Sequence, residues 1–418
     1  MNPNLKLHRE NFWLAIVFFI ALSFTWSERL SSVGIIFLSI HWLLDKQLLD
    51  KIRSFKLKPF IATCWLFFLL HIVACIWTHY PDFAMQTIMV KLSFLVIPFL
   101  LSTENYFNNK SKQSLMYAFS ISLCVSFMYT LGLDLLLNFD KGKIVYLNRM
   151  QISEAIMHPG YYSNYFALAM VWCGYEVSNY RTKSNYQLLW LGGIFLMLSL
   201  ALLLLISKTA ILFIGIFFLF LLWKFLDRIK NIVARMLAYL LALSFIIFLA
   251  IQIPSIKYRI HETQRDTGTI SKEVSIMNST GSRITAWQNS WKLIQEKTMW
   301  GYGTGSANAQ LKQKLLDEGY TNLANDNMHT HNQLFHTWLD IGFLGIVFII
   351  LIWVSSAYHF VKLKNTLGIW LIVLMVLNLL TDDMLEIQAG IVFFVFFLCL
   401  FYYQKTTLDA TVNKTEHI

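Results

Sequence analysis

Long apolar runs separated by short polar stretches dominate the chain. They lie near residues 12–26, 30–44, 59–78, 84–102, 114–137, 160–178, 187–206, 209–223, 236–253, 332–354, 367–381 and 388–403. A helix of ~20 apolar residues spans a hydrocarbon core of ~30 Å. The pattern therefore predicts an all-α integral membrane protein with about 12 transmembrane helices. Two segments between the runs exceed a turn, Leu137 to Gly160 and Gln252 to His331. In the longer one, Ile284, Trp287, Trp291 and Ile294 recur at helical spacing. They predict an amphipathic helix capped by Thr280 or Ser282, its apolar stripe turned to the membrane surface or the bundle. Ser306 to Glu318 predicts a second helix, stopped by Gly319. The expected organisation is helices 1–9 over residues 1–251, a large extramembrane loop over 252–331, and helices 10–12 with a tail over 332–418.

Composition agrees: 56% of residues are hydrophobic, 14% are charged, and the mean hydropathy is +0.53. Soluble domains carry nearly twice that share of charge, so a water-soluble globule and a disordered chain are excluded. Thirty-four Lys and Arg against 24 Asp and Glu give +10, a balance that invites a nucleic-acid partner. The distribution argues against one. The cations cluster between apolar runs, as in Asp45 to Lys58 and Lys224 to Arg235, where they set topology. Their bias puts both termini on the cytoplasmic side and the long loop on the outer side. The first run follows Asn4 to Glu10 without a small-residue cleavage site, so it is expected to stay as an anchor. Cys64, Cys75, Cys124, Cys173 and Cys399 all sit in apolar runs and read as buried thiols.

Polar groups at membrane depth are costly, which makes them the first candidates for chemistry. His329, His331 and Asn332 stand where the long loop enters a helix that then carries Asp340, Gly342 and Gly345. A neutral imidazole at that rim can take a proton from a hydroxyl nucleophile; the competing reading is that these residues cap the helix. The HxH spacing also suits a metal, but no third ligand is obvious nearby, and His336 reads as an ordinary polar group of the bundle. Ser207 and Lys208 lie between two apolar runs with almost no loop, where the lysine either clamps an anion or snorkels. Arg283 is poorly placed for the dipole of its helix, which makes sense if it binds a phosphate, and is otherwise a solvated arginine. Thr381, Asp382, Asp383 and Glu386 form an acidic group that could hold a divalent ion, but the structural reading, capping helices or balancing Lys208, is favoured. Lys91 is a further charge within a run, consistent with a tilted or broken segment. Trp300 to Gly305 (WGYGTG) has no preceding strand and no GK[ST], so it reads as a turn allowing close backbone approach to a ligand.

Taken together these features resemble the O-antigen ligase and Wzy-type polymerase superfamily. The likeness rests on about 12 helices, Ser207 with Lys208 at a hairpin, the block Gly281 to Trp287 followed by Gly301 to Gly305, and the helix bearing His331, Asn332, Asp340, Gly342 and Gly345. The resemblance implies a GT-C-type architecture and a bacterial inner-membrane enzyme with its site facing the periplasm. It implies an O-antigen ligase moving polysaccharide from an undecaprenyl-diphosphate-linked donor to a lipid A-core acceptor, inverting, with no cofactor and no metal. His331 would be the base, with His329 as neighbour or substitute. Lys208 and Arg283 would hold the diphosphate, and Asn332, Asp340 and Ser207 would support them. Lysine at 208 stands where the family usually shows arginine, keeping the charge but not the bidentate fork. A Wzy-type polymerase is the nearest alternative. A glycolipid transporter or flippase is the alternative of another class, although no paired repeats are visible.

Overall fold

A computed structural model of the chain describes residues 3–138, 158–179, 183–205, 207–227, 229–252, 261, 264 and 279–404. The loop expected from Leu137 to Gly160, most of residues 253–278 and the tail after 404 lie outside the described residues. Among the described residues the structure is helical, with no strand. In chain order the helices are α1 (Pro3–Ser23), α2 (Glu28–Leu43), α3 (Leu48–Ser54), α4 (Pro59–Ala74), α5 (Pro81–Lys91) and α6 (Ser93–Thr103). Then follow α7 (Asn109–Asn138), α8 (Pro159–Ser178), α9 (Asn185–Leu205), α10 (Lys208–Leu226), α11 (Ile232–Gln252) and α12 (Ser279–Glu296). The last are α13 (Ala307–Asp317), α14 (Thr321–Asn325), α15 (Gln333–Lys362), α16 (Thr366–Leu379) and α17 (Gln388–Tyr402). Pro59, Pro81 and Pro159 each open a helix, where the missing N–H removes no intrahelical bond.

Each apolar run falls on one of these helices, or, for 84–102, on the pair α5 and α6. Among the described residues, five segments are long and apolar enough to cross a membrane: Pro81–Thr103, Asn109–Leu133, Asn185–Leu205, Thr209–Leu226 and Gln333–Lys362. The helices α2 and α3 form a pair bent by 97°, and α4, α16 and α17 are shorter apolar helices.

The chain divides into two compact units. The first comprises residues 1–122, 290–311 and 329–418, the second 123–289 and 312–328. In the first unit α17 is buried on every face from Ala389 to Phe401, as expected of a helix apolar all round. Phe393 meets Phe24, just past the end of α1, edge-on at 5.6 Å, and Phe397 meets Phe119 of α7 at 5.4 Å. In the second unit α8 is buried from Tyr162 to Gly174 and packs against α9 and α10. A Cβ at Gly174 would stand 2.8 Å from Phe217 and 2.9 Å from Phe195, so only glycine lets the three helices meet. Exposed Leu189, Leu196 and Leu241 supply an apolar outer surface suited to lipid.

The expected cap of α12 is corrected. The helix already includes Ser279, so Thr280 and Ser282 lie inside it. Its buried face carries Ser282, Thr285, Ala286, Asn289, Ser290, Leu293 and Ile294. Trp291 of the expected stripe is exposed and meets Phe335 and Trp338 of α15 at 6.3 Å and 5.9 Å. The second expected helix is present as α13, and Gly319 follows it with φ +84°.

Candidate functional site

The long helix α15 is broken at Gly342, whose φ of 74° and ψ of −167° are not helical. A break strands carbonyls that the next turn would normally satisfy. WGYGTG takes them up: Tyr302 N–H donates to Leu339 O at 2.6 Å and Gly303 N–H to Asp340 O at 2.9 Å. Phe343 N–H in turn donates to Thr298 O at 3.1 Å. The Asp340 carboxylate accepts from the N–H groups of Gly305 at 3.0 Å and Ala307 at 2.8 Å, capping the start of α13. The glycine-rich turn thus approaches the protein's own broken helix, not a ligand as its composition suggested. Thr304 extends the bracket to α4 through a 2.7 Å bond from its hydroxyl to His71 O.

At its head α15 is capped by Asn332, whose Oδ1 accepts from Phe335 N–H at 3.1 Å while Nδ2 donates to Leu380 O at 3.0 Å. The capping reading therefore holds for Asn332. Removing both bonds in Asn332→Ala is expected to cost about 1–2 kcal/mol, read as a lowered melting temperature of the purified protein in detergent. An unchanged melting curve would count against this role.

The two histidines before the cap do something else. The imidazoles of His329 and His331 stack with ring centroids 3.8 Å apart. Each is backed by a carboxylate from the turn after α16. His329 Nδ1 lies 2.9 Å from Asp383, and His331 Nδ1 lies 3.3 Å from Asp382. An ionised carboxylate only accepts, so His331 Nδ1 carries the proton and neutral His331 keeps its lone pair on Nε2. His331 holds this position with φ 45°, a conformation that costs a non-glycine residue energy and concentrates at functional sites.

Behind this pair lies a second layer that the sequence does not reveal. His336, 4% exposed, stands 3.3 Å from Asp383 and 3.5 Å from Glu386. Lys91, fully buried, donates to Glu386 Oε1 at 2.6 Å and Leu385 O at 2.9 Å. Gln333 fastens the same turn, accepting from Leu385 N–H at 2.8 Å. The lysine is an internal partner of Glu386, and His336 belongs to a carboxylate cluster, not to the general polar content of the bundle.

Charge follows from these contacts. Burial opposes the imidazolium of His329, but the hydrogen bond and charge of Asp383 outweigh it and raise its pKa. Burial likewise opposes the Asp383 carboxylate, and the bonds to His329 and His336 hold it well below the usual range. The two shifts run in opposite directions, so the His329–Asp383 ion pair persists over a wider pH interval than the free side chains would allow. Glu386 is pushed down to about 2, as the charges of His336 and Lys91 overcome its burial.

His329, His331, Asp382 and Asp383 carry donor atoms within 4.8 Å of one another, as do His336, Asp340 and Glu386, so either set could hold a metal ion. The expectation of no third ligand near HxH is thereby corrected. Folding brings the carboxylates from 51 and 54 residues along the chain, where no local spacing announces them. Asp382, Asp383 and Glu386 engage His331, His329, His336 and Lys91. Of the remaining predicted residues, Ser207 is the N-cap position of α10 without a side-chain capping bond, Lys208 opens that helix, and half-buried Arg283 lies on α12. Lys208 and Arg283 both belong to the second unit.

These features define a helical membrane protein in which a histidine paired with a carboxylate stands at the head of a long apolar helix. Residues 193–350 match the family described as O-antigen ligase, which supports assignment to the O-antigen ligase and Wzy superfamily. The matched stretch contains Ser207, Lys208, Arg283, His329, His331, Asn332 and Asp340, but not Asp382, Asp383 or Lys91. The chain is also similar, at 28% identity over 92 residues, to an uncharacterized protein of Haemophilus influenzae. That alignment spans 21% of this chain and 22% of the relative.

Proposed function

We propose that the chain is an O-antigen ligase, transferring polysaccharide from undecaprenyl diphosphate to a lipid A-core sugar at the periplasmic side of the bacterial inner membrane. The observation that carries this reading is His331, inside the family match and hydrogen-bonded to Asp382 at the head of α15. His331 Nε2 takes the proton of the acceptor hydroxyl. The freed oxygen attacks the anomeric carbon from the face opposite the diphosphate, the bond to the diphosphate oxygen breaks, and the configuration inverts. Asp382 stabilises the imidazolium that forms. Lys208 and Arg283 meet the negative charge growing on the leaving diphosphate, a contact of this kind being worth ~3 kcal/mol or more. Asn332 and Asp340 act indirectly, holding the head of α15 and its break. With two cations on the leaving group, the reaction as written needs no metal.

Reconstitution of the full chain with a lipid-linked glycan and a rough lipopolysaccharide acceptor tests it. The expected product is glycan joined to the lipid A core, formed equally in the presence of EDTA. Extension of the lipid-linked glycan without use of the core would replace the ligase reading with the polymerase one. Movement of the glycolipid across the bilayer without any new glycosidic bond would replace both with transport.

A further inference from the structure

The end of the first unit remote from the histidines is built from the start of α4, the ends of α2 and α6, and the short helix α3. There Arg9 binds Glu104 at 2.9 Å and Asp45 at 2.9 Å, and Lys51 also pairs with both carboxylates. Two cations and two anions thus neutralise one another inside the fold. The neighbouring cations Lys46, Arg53, Lys56 and Lys58 are exposed, and exposed Asp50 lies on the same segment. They alternate with exposed Leu44, Leu49, Ile52 and Leu57, at 75%, 66%, 48% and 55% exposure. Water tolerates such a row of aliphatic side chains poorly, whereas the headgroup boundary of a bilayer accepts both them and the cations. The right-angle turn of α3 away from α2 lays it along such a boundary.

Beside this segment a cavity of ≈ 380 Å³ is lined by Lys51, Lys58, Ser102, Thr103, Glu104 and Tyr403. An adjoining one of ≈ 230 Å³ shares Lys51, Lys58, Ser102 and Thr103 and adds Lys56. Lys58 stands over the Tyr403 ring at 5.2 Å. Lys58 is also the N-cap position of α4, which has no side-chain cap, so two lysines crowd a helix end that itself favours an anion.

We infer that this cavity is a binding site for the phosphate headgroup of an anionic membrane lipid. The phosphate sits between Lys56 and Lys58 within reach of Ser102 and Thr103, while the acyl chains run along the exposed leucines. Glu104 is already engaged by Arg9 and Lys51 and repels the phosphate little. The site is independent of the proposed glycan transfer.

The test uses the full chain released from nanodiscs of mixed phosphatidylcholine and phosphatidylglycerol, with retained lipid measured by native mass spectrometry. The wild type is expected to retain phosphatidylglycerol preferentially, and the Lys56→Gln/Lys58→Gln variant to lose about tenfold of that preference. Lys56→Arg/Lys58→Arg is expected to keep it. Should the glutamine variant fail to fold, washing the wild type at high salt is expected to erase the preference. Equal retention of the two lipids by the wild type, indifference to the lysine changes, or insensitivity to salt would overturn the proposal. So would displacement of the lipid by inorganic phosphate alone, which would assign the site to a soluble phosphate.

Discussion

Replacing His331 with alanine is expected to slow glycan transfer by about 10²–10⁴-fold while leaving the protein folded and able to hold its donor. The size follows from the loss of a positioned base for a hydroxyl that ionises poorly at neutral pH. Geometry also separates His331 from its neighbour. His329 sits closer to its carboxylate, 2.9 Å against 3.3 Å, and Asp383 has a side-chain exposure of 5% against 19% for Asp382. That environment raises the pKa of His329 and favours its imidazolium form, which makes it the poorer acceptor of a hydroxyl proton. His329→Ala is accordingly expected to lower the rate less than His331→Ala. Asp382→Asn should fall between them. Its amide can donate to Nδ1 and favour the tautomer with the proton on Nε2, the wrong nitrogen for a base. Initial rates of the reconstituted transfer, measured beside melting curves for each variant, check the order. A folded His331→Ala protein with a wild-type rate would end the assignment of the base.

The helices were legible because an apolar run is a strong signal, and each run falls on a helix or, for 84–102, on a pair; five segments among the described residues are long and apolar enough to cross a membrane, fewer than the twelve runs suggested. The head of α15 was legible because polar residues at the mouth of an apolar run stand out. Its partners were harder. Asp382 and Asp383 are conspicuous as an acidic pair at a helix end, but nothing in the spacing attaches them to His331 and His329, so the sequence left them with a structural role. Lys91 and Glu386 show the available signal: two opposite charges lodged at the ends of separate apolar runs each need a partner, and each is the other's simplest one. On α12 the start of the helix was misplaced, because Thr280 and Ser282 look like caps in the sequence yet lie inside a helix that already includes Ser279. The significance of WGYGTG was hidden for a related reason. A glycine-rich turn announces close approach but not to what, and here the partner is the backbone of α15.

That partnership makes Gly342→Ala the change with the largest expected effect on folding. A Cβ at Gly342 would lie 2.1 Å from Met299 O and 2.5 Å from Met299 C. Both are backbone atoms that cannot swing aside as a side chain would. The φ of 74° with an extended ψ is essentially confined to glycine, a strain of about 1–3 kcal/mol for any other residue before the collision is counted. Relieving either problem means moving the turn from Met299 to Gly305. The two carbonyls at the break would then lose Tyr302 and Gly303, and Asp340 would lose the N–H groups of Gly305 and Ala307. Buried polar groups stripped of partners cost about 1–3 kcal/mol each, so the penalties together approach the whole stability of a domain. The expected result is little or no monodisperse protein after detergent extraction. Gly132→Ala supplies the contrast: it lies within α7 with nothing inside 4 Å of the added methyl, and alanine there should be neutral or stabilising by up to about 1 kcal/mol. If both variants extract and melt alike, the break in α15 is not held by the glycine-rich turn, and the head of the helix that carries His331 and Asn332 must be positioned by other contacts.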